Sequence, residues 1–260
     1  MRTNLLWLKR IAELGIILMM GVSMSADAGL FGFGGTSWKE EVLLHDGSKI
    51  IVERSVDRGG RHEIGQRQPI KEQSLSFVLP STKQRVKWED NYSKDIGTAS
   101  FLPMQLEILK DTAYLVASPM GCLSYNKWGR PNPPYVIFKY QGKEWQRIPL
   151  QELPAEFKTL NLVFSSPDDA AEQASHGIVS AEKIKELNTG FRQPEFQTIL
   201  REAYPVAGGG CSEMIHTNDG WEGLGFFRSP GSFDACLKYC DKKGVNQQSC
   251  PCETLFKGAK

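Results

Sequence analysis

The chain has 260 residues, 40% hydrophobic and 23% charged, with 25 Gly, 14 Pro and a formal net charge of +1 at pH 7. Such a balance excludes collagen-like, low-complexity and wholly disordered chains, and the length is enough to enclose a core. A near-neutral field gives no reason to expect nucleic acid as a partner.

The first 28 residues read as a secretory signal peptide. Arg2, Lys9 and Arg10 precede the apolar run Leu14 to Val22, and Ala26-Asp27-Ala28 forms a small-residue cleavage box. The run is far shorter than the roughly 20 residues that span a bilayer, so cleavage after Ala28 and no stable membrane insertion are expected. Removing three bases and two acids from 31 and 30 leaves 28 of each, a mature form of zero net charge. Export places the protein in the periplasm or outside the cell.

Residues 29 to 37 are a Gly-rich lead-in. From 38 to 165 the chain alternates like half-buried strands: Leu75, Phe77 and Leu79; Val86 and Trp88; Met104, Leu106 and Ile108. Asp46-Gly47, Lys110-Asp111 and Gln141-Gly142 mark hairpins between such runs. Short connections require antiparallel neighbours, so the expected fold is α+β, with an antiparallel meander of about eight strands closing as a sandwich or barrel. The lack of a blade-length repeat argues against a propeller.

Residues 166 to 205 take a helical period. Ser166-Pro167-Asp168-Asp169 opens one helix, Ser180 caps a second with Val179 stapled to Ile184, and Pro194 opens a third bearing Phe196, Ile199, Leu200 and Ala203 on one face. All three are expected to pack on the sheet.

The region 206 to 260 holds five of the six cysteines, an even set that export would oxidise. Ser232 caps a helix with Cys236 and Cys240 on one face, ending at Gly244. Four helical residues rise about 6.0 Å, and the two steps of an extended Cys250-Pro251-Cys252 rise about 6.2 Å. An antiparallel return then pairs Cys240 with Cys250 and Cys236 with Cys252, which leaves Cys122 for Cys211. The spacing suits structural zinc poorly, and neither a metal nor a cofactor is expected.

Three segments are candidate sites. Arg58, Arg61 and Arg67, in a Gly-containing loop, suit a carboxylate or phosphate, with Asp57 and Glu63 as internal counter-charges. Tyr125, Trp128, Arg130 and Tyr135 sit in a Pro-rich segment whose stiffness suits a contact surface. His216 lies near Asp219 and Glu222, an acid/base set for a hydrolase. Common catalytic and nucleotide-binding fingerprints are absent, so no catalytic residue is assigned. The leading expectation is a non-catalytic envelope module that binds an envelope component or protein partner through residues 125 to 135. The alternative is an envelope hydrolase around His216.

Overall fold

The structure, a computed structural model, describes residues 35–60, 62–172, 177–205 and 210–258. The leader and its cleavage box lie outside the described residues, as do most of the lead-in and Arg61. Two antiparallel meanders follow one another. The first runs β1 (Thr36–Leu43), β2 (Lys49–Arg58), β3 (Ile70–Val78) and β4 (Arg85–Asp90). The second runs β5 (Phe101–Leu109), β6 (Thr112–Pro119), β7 (Val136–Gln141) and β8 (Glu144–Ile148). A two-residue strand, β9 (Ile178–Val179), joins β1 in parallel at the far edge of the first sheet.

Alternation explains how the sheets meet. Val42, Val52, Leu75, Phe77, Val86 and Trp88 point from the first sheet at Leu106, Ile108, Leu115, Ala117, Val136 and Phe138 of the second, one core between two layers. The sheets remain separate, so the arrangement is a sandwich and not a closed barrel. The hairpins at Lys110-Asp111 and Gly142-Lys143 place both central residues at positive φ, the mirror-image turn that matches strand twist. The second turn lies one residue later than Gln141-Gly142.

A bulge in β5 changes which residues share a face. Register slips between Pro103 and Gln105, so Phe101, Leu106 and Ile108 face the sandwich core while Met104 faces the opposite side. Met104 therefore does not share a face with Leu106 and Ile108, because one extra residue reverses the period-two pattern. Pro103 has no N–H for a ladder, which suits the slip. The open edge of β5 is closed by Asn161, which accepts from the Leu106 amide at 2.8 Å and donates to the Leu106 carbonyl at 2.8 Å.

The second sheet is covered on its outer face too. Met104, Tyr114, Val116, Tyr135 and Ile137 pack under Leu153, Phe157, Leu160, Phe164 and Ile199, residues of irregular chain. Two short helices, α2 (Pro167–Glu172) and α3 (Ala181–Asn188), lie beside β1. Ser180 accepts from the Lys183 amide, and Val179 and Ile184 share one apolar cluster with Trp38 and Val56. The third helix does not form: Pro194–Phe196 is one 3-10 turn. Tertiary partners take the backbone groups that a helix would use, since the Ile199 amide donates to the Lys158 carbonyl and the Leu200 amide to Tyr135 Oη. Phe196, Ile199 and Leu200 still pack on the sheet. A helix absent from the sequence expectations, α1 (Gly121–Lys127), opens the Pro-rich segment.

The C-terminal part builds its own small core. The hairpin β10 (Met214–Thr217) and β11 (Gly220–Gly223) leads into α4 (Leu224–Arg228), α5 (Phe233–Lys242) and α6 (Cys252–Lys257). Phe227, Cys236, Cys240, Val245 and Cys252 are buried together. Disulfides join Cys236 to Cys252, Cys240 to Cys250 and Cys122 to Cys211. Cys250-Pro251-Cys252 is not extended: Pro251 has φ −81° and ψ 5° and caps α6, so a turn and not a strand presents the two sulfurs. Gly244, at φ +68°, stops α5 where a Cβ would overlap the Asn218 side chain. Among the described residues no helix is long and apolar enough to cross a membrane.

Candidate functional site

Arg58 and Arg67, from opposite ends of one loop, converge on the first turn of α2. Arg58 forks onto Asp168 at 2.6 and 2.7 Å, and Arg67 bonds Asp168 at 2.7 Å as well as Asp169. Burial opposes ionisation of Asp168, but the Arg58 hydrogen bond and the charges of Arg58 and Arg67 outweigh it and hold the carboxyl below its ordinary range. The counter-charges come from α2 and not from Asp57 and Glu63. Both guanidinium groups are engaged in holding the loop to α2, so the clamp closes on the protein itself.

The Pro-rich segment divides between packing and lining. Tyr125 and Tyr135 are each 5% exposed. Trp128 is half-buried with its ring 4.6 Å from Phe101, at the end of the sandwich core. Arg130 lies over the Tyr125 ring at 5.0 Å and donates to the Cys211 carbonyl at 2.9 Å, next to the Cys122–Cys211 bond. These four side chains thus join α1, the sandwich and the tail, and do not project together from one surface. Tyr135 Oη donates to the Glu195 carbonyl at 2.9 Å, and burial pushes its pKa up.

His216, on β10, is exposed and meets Trp221 edge-on at 5.0 Å. The two nearby carboxylates turn elsewhere: Lys243 bonds Asp219 at 2.8 Å and Glu222 at 2.6 Å. The Lys243 bond holds the Asp219 pKa down. Among the described residues His216 bonds no carboxylate, so the acid/base set is not assembled. The sulfurs of Cys236, Cys240 and Cys252 lie within 4.8 Å of one another, a proximity that the two tail disulfides already explain.

A second buried polar group sits where the first hairpin meets the second sheet. Glu107, 2% exposed, accepts from the His45 amide at 3.0 Å and meets His45 Nδ1 at 2.9 Å. Burial raises its pKa, opposed by the His45 bonds. Asn161 reaches the same carboxylate at 3.3 Å, so the cluster is closed by protein groups and serves to seat the hairpin.

The geometry that does leave groups free is a cleft of about 620 Å3 beside the Pro-rich segment. Its floor is the outer face of the second sheet at Tyr135, Ile137 and Ile148. One wall is Pro131, Asn132 and Pro133; another is Pro149, Leu150 and Gln151, where β8 ends; Arg201 and Ala203 close the third. The walls are fixed. Asn132 exchanges two hydrogen bonds of 3.0 Å with the Tyr204 backbone, and Arg201 donates to the carbonyls of Leu153, Pro154 and Phe157 at 2.8, 2.6 and 2.8 Å. Arg147, exposed on β8, borders the cleft, but it pairs with Phe138 and its guanidinium lies 5.6 Å from the Trp128 ring, on the sandwich-core side of the sheet.

Among the described residues Tyr135 alone of the expected binding set lines this cleft, and Arg147 and Arg201 were not anticipated. A strand period places Ile148 on a face, but nothing local in sequence brings β8 to residues 201–203. No protein-family model, no curated protein and no solved structure matches the chain.

Proposed function

We propose that the protein is an exported, non-catalytic binding module of the cell envelope, acting in the periplasm or outside the cell after cleavage near Ala28. Its ligand occupies the cleft between Pro131–Tyr135, the end of β8 and Arg201. The observation that carries this reading is a walled cleft of about 620 Å3 with an apolar floor and polar groups at its rim, within the roughly 300–1,000 Å3 typical of ligand sites. The basic, apolar and small-residue order of the leader and three disulfides support export. An envelope component is the partner class that fits the compartment.

Native mass spectrometry of the protein purified from its own envelope fraction tests the reading. A non-covalent adduct is expected on the wild type and should be absent from Ala203→Trp, which fills the cleft from its exposed rim. An adduct retained unchanged by Ala203→Trp, or none on the wild type, rejects the cleft as the binding site.

A further inference from the structure

The two tail disulfides lie against each other. Cys252 Sγ, bonded to Cys236, is 3.7 Å from Cys240 Sγ and 3.2 Å from Cys250 Sγ, the two sulfurs of the neighbouring bond. Cys236, Cys240 and Cys252 are 0, 2 and 0% exposed, while Cys250 is only half-buried, so Cys250 is the member of the four that a solute can approach. Packing of α5 against α6 produces the contact: Cys236 and Cys240 share the buried stripe of α5, and the turn at Pro251 presents Cys250 and Cys252 to both. The Cys122–Cys211 bond differs. Among the described residues it has no cysteine sulfur of another pair in contact with it.

A thiolate opens a disulfide by attacking one sulfur and expelling the other, so a second disulfide in contact with the expelled sulfur is its next target. From this juxtaposition, and independently of the cleft, we propose that Cys250 is a thiolation site for low-molecular-weight thiols and that the tail answers by moving one disulfide along α5. The entering thiolate bonds Cys250 Sγ, the Cys240–Cys250 bond breaks, and Cys240 keeps the electron pair. The Cys240 thiolate then bonds Cys252 Sγ, and the Cys236–Cys252 bond breaks with its electron pair on Cys236. One thiolate enters and one is released, two disulfide bonds break and two form, and no oxidant or reductant is consumed. Burial disfavours a thiolate at Cys236 and Cys240 alike, so the helix decides between them. Cys240 lies in the last turn of α5, at the negative end of its dipole, and Cys236 lies one turn nearer the positive end. The new Cys240–Cys252 bond ties α6 about 6 Å farther along α5. A small thiol suits this entry better than a cysteine of a folded protein, because Cys250 is packed against the tail core.

The test incubates the disulfide-intact protein with reduced glutathione to constant composition, stops exchange by alkylation with N-ethylmaleimide, and maps tryptic peptides without reductant. Trypsin cuts after Arg228, Lys238 and Lys242, so Cys236 and Cys240 fall on separate peptides, while Cys250 and Cys252 share one and are told apart by fragmentation. Glutathione should be found on Cys250, with Cys240 bonded to Cys252. The maleimide should be on Cys236 in about two- to fivefold excess over Cys240, the ratio that a helix-end charge contributes. The Cys122–Cys211 bond is the comparison: with no second pair to attack, glutathione on one of these cysteines should leave the maleimide on the other. Maleimide on Cys240 equal to or above that on Cys236, with the Cys236–Cys252 bond retained, overturns the movement of the disulfide. Absence of glutathione from Cys250 overturns the thiolation site. Neither result bears on the cleft, whose adduct is read on untreated protein.

Discussion

β1 to β4 and β5 to β8 are both four-stranded antiparallel meanders, yet β4 is buried at every second residue and β6 at seven in succession. The first sheet has an open outer face, where Leu43, Ile51 and Val78 are 46, 44 and 44% exposed. The second lies between two apolar layers, the sandwich core on one side and the chain from Leu153 to Phe164 with Ile199 on the other. A strand with apolar neighbours on both faces has no use for a polar side, and its sequence loses the alternation. The cover is mostly not helical, so its backbone groups need individual partners, which Arg201 and Tyr135 supply. The cleft lies where this cover begins, at Pro149–Gln151, and ends, at Arg201–Ala203. It is the gap in a roof, floored by the sheet that the roof protects.

The comparison fails most directly if the cover contributes little. Phe157 is fully buried in it, against Tyr114 at 5.5 Å, and Phe157→Ala should cost about 3–5 kcal/mol in urea unfolding. A cost below about 1 kcal/mol would mean the roof is loosely laid, and the cleft walls with it. Asn161→Ala comes next. It leaves the Leu106 amide, otherwise bonded at 2.8 Å, without a partner at the edge of β5, for about 2–3 kcal/mol. Hydrogen exchange should show the loss centred on Leu106, with β4 unaffected.

The first sheet was far more legible in sequence than the second. Val42, Val52, Leu75, Phe77, Val86 and Trp88 fall at period two, and the structure buries all six. The same period also buries Glu40 and Arg54, bonded at 2.8 Å, but a charge on an alternating strand reads as a solvent position until its partner is known. In β5 the bulge at Pro103 reverses the period, and no local pattern announces it. The stripe from Phe196 to Leu200 is truly apolar and truly packed, but tertiary hydrogen bonds replace the helix that its spacing implies. The pairing of the cysteines followed from the stripe on α5, while the form of Cys250-Pro251-Cys252 did not. The cleft was half legible: the Pro-rich segment is a wall, but Arg147 and Arg201 reach it through strand order and the path of the cover, which are long-range properties.

A pH series sharpens the contrast between the arginines paired with Asp168 and Arg147, which among the described residues meets no carboxylate. The folded-state pKa of Asp168 lies below its ordinary 3.8, so the stabilisation it gives is complete above that value and is lost as pH falls through the folded one. Asp168→Asn should therefore cost about 1–2 kcal/mol at pH 7 and progressively less below pH 4, where the wild-type carboxyl also takes up a proton. Arg147→Gln has no such carboxylate to uncouple, and its effect on stability should stay flat over the same range. A pH-dependent cost for Arg147→Gln would reveal an acid facing that guanidinium and would remove the contrast.

The smallest expected effect tests the open face. Ile51 lies on β2 opposite Glu41 and is 44% exposed, so Ile51→Thr removes little buried surface. Threonine keeps the β-branch that suits a strand, and the change should stay within about 0.5 kcal/mol, read as an unchanged urea midpoint with an unchanged slope. Leu43 and Val78 leave an apolar patch beside it, ringed by Lys49, Glu53 and Arg85, and charged neighbours of both signs keep such a patch from pairing with itself. A cost above about 1.5 kcal/mol that grows with protein concentration would show this face to be covered in solution by a second copy. Both sheets would then lie between two apolar layers, and the alternation of β2 and β4 would need a cause other than exposure to water.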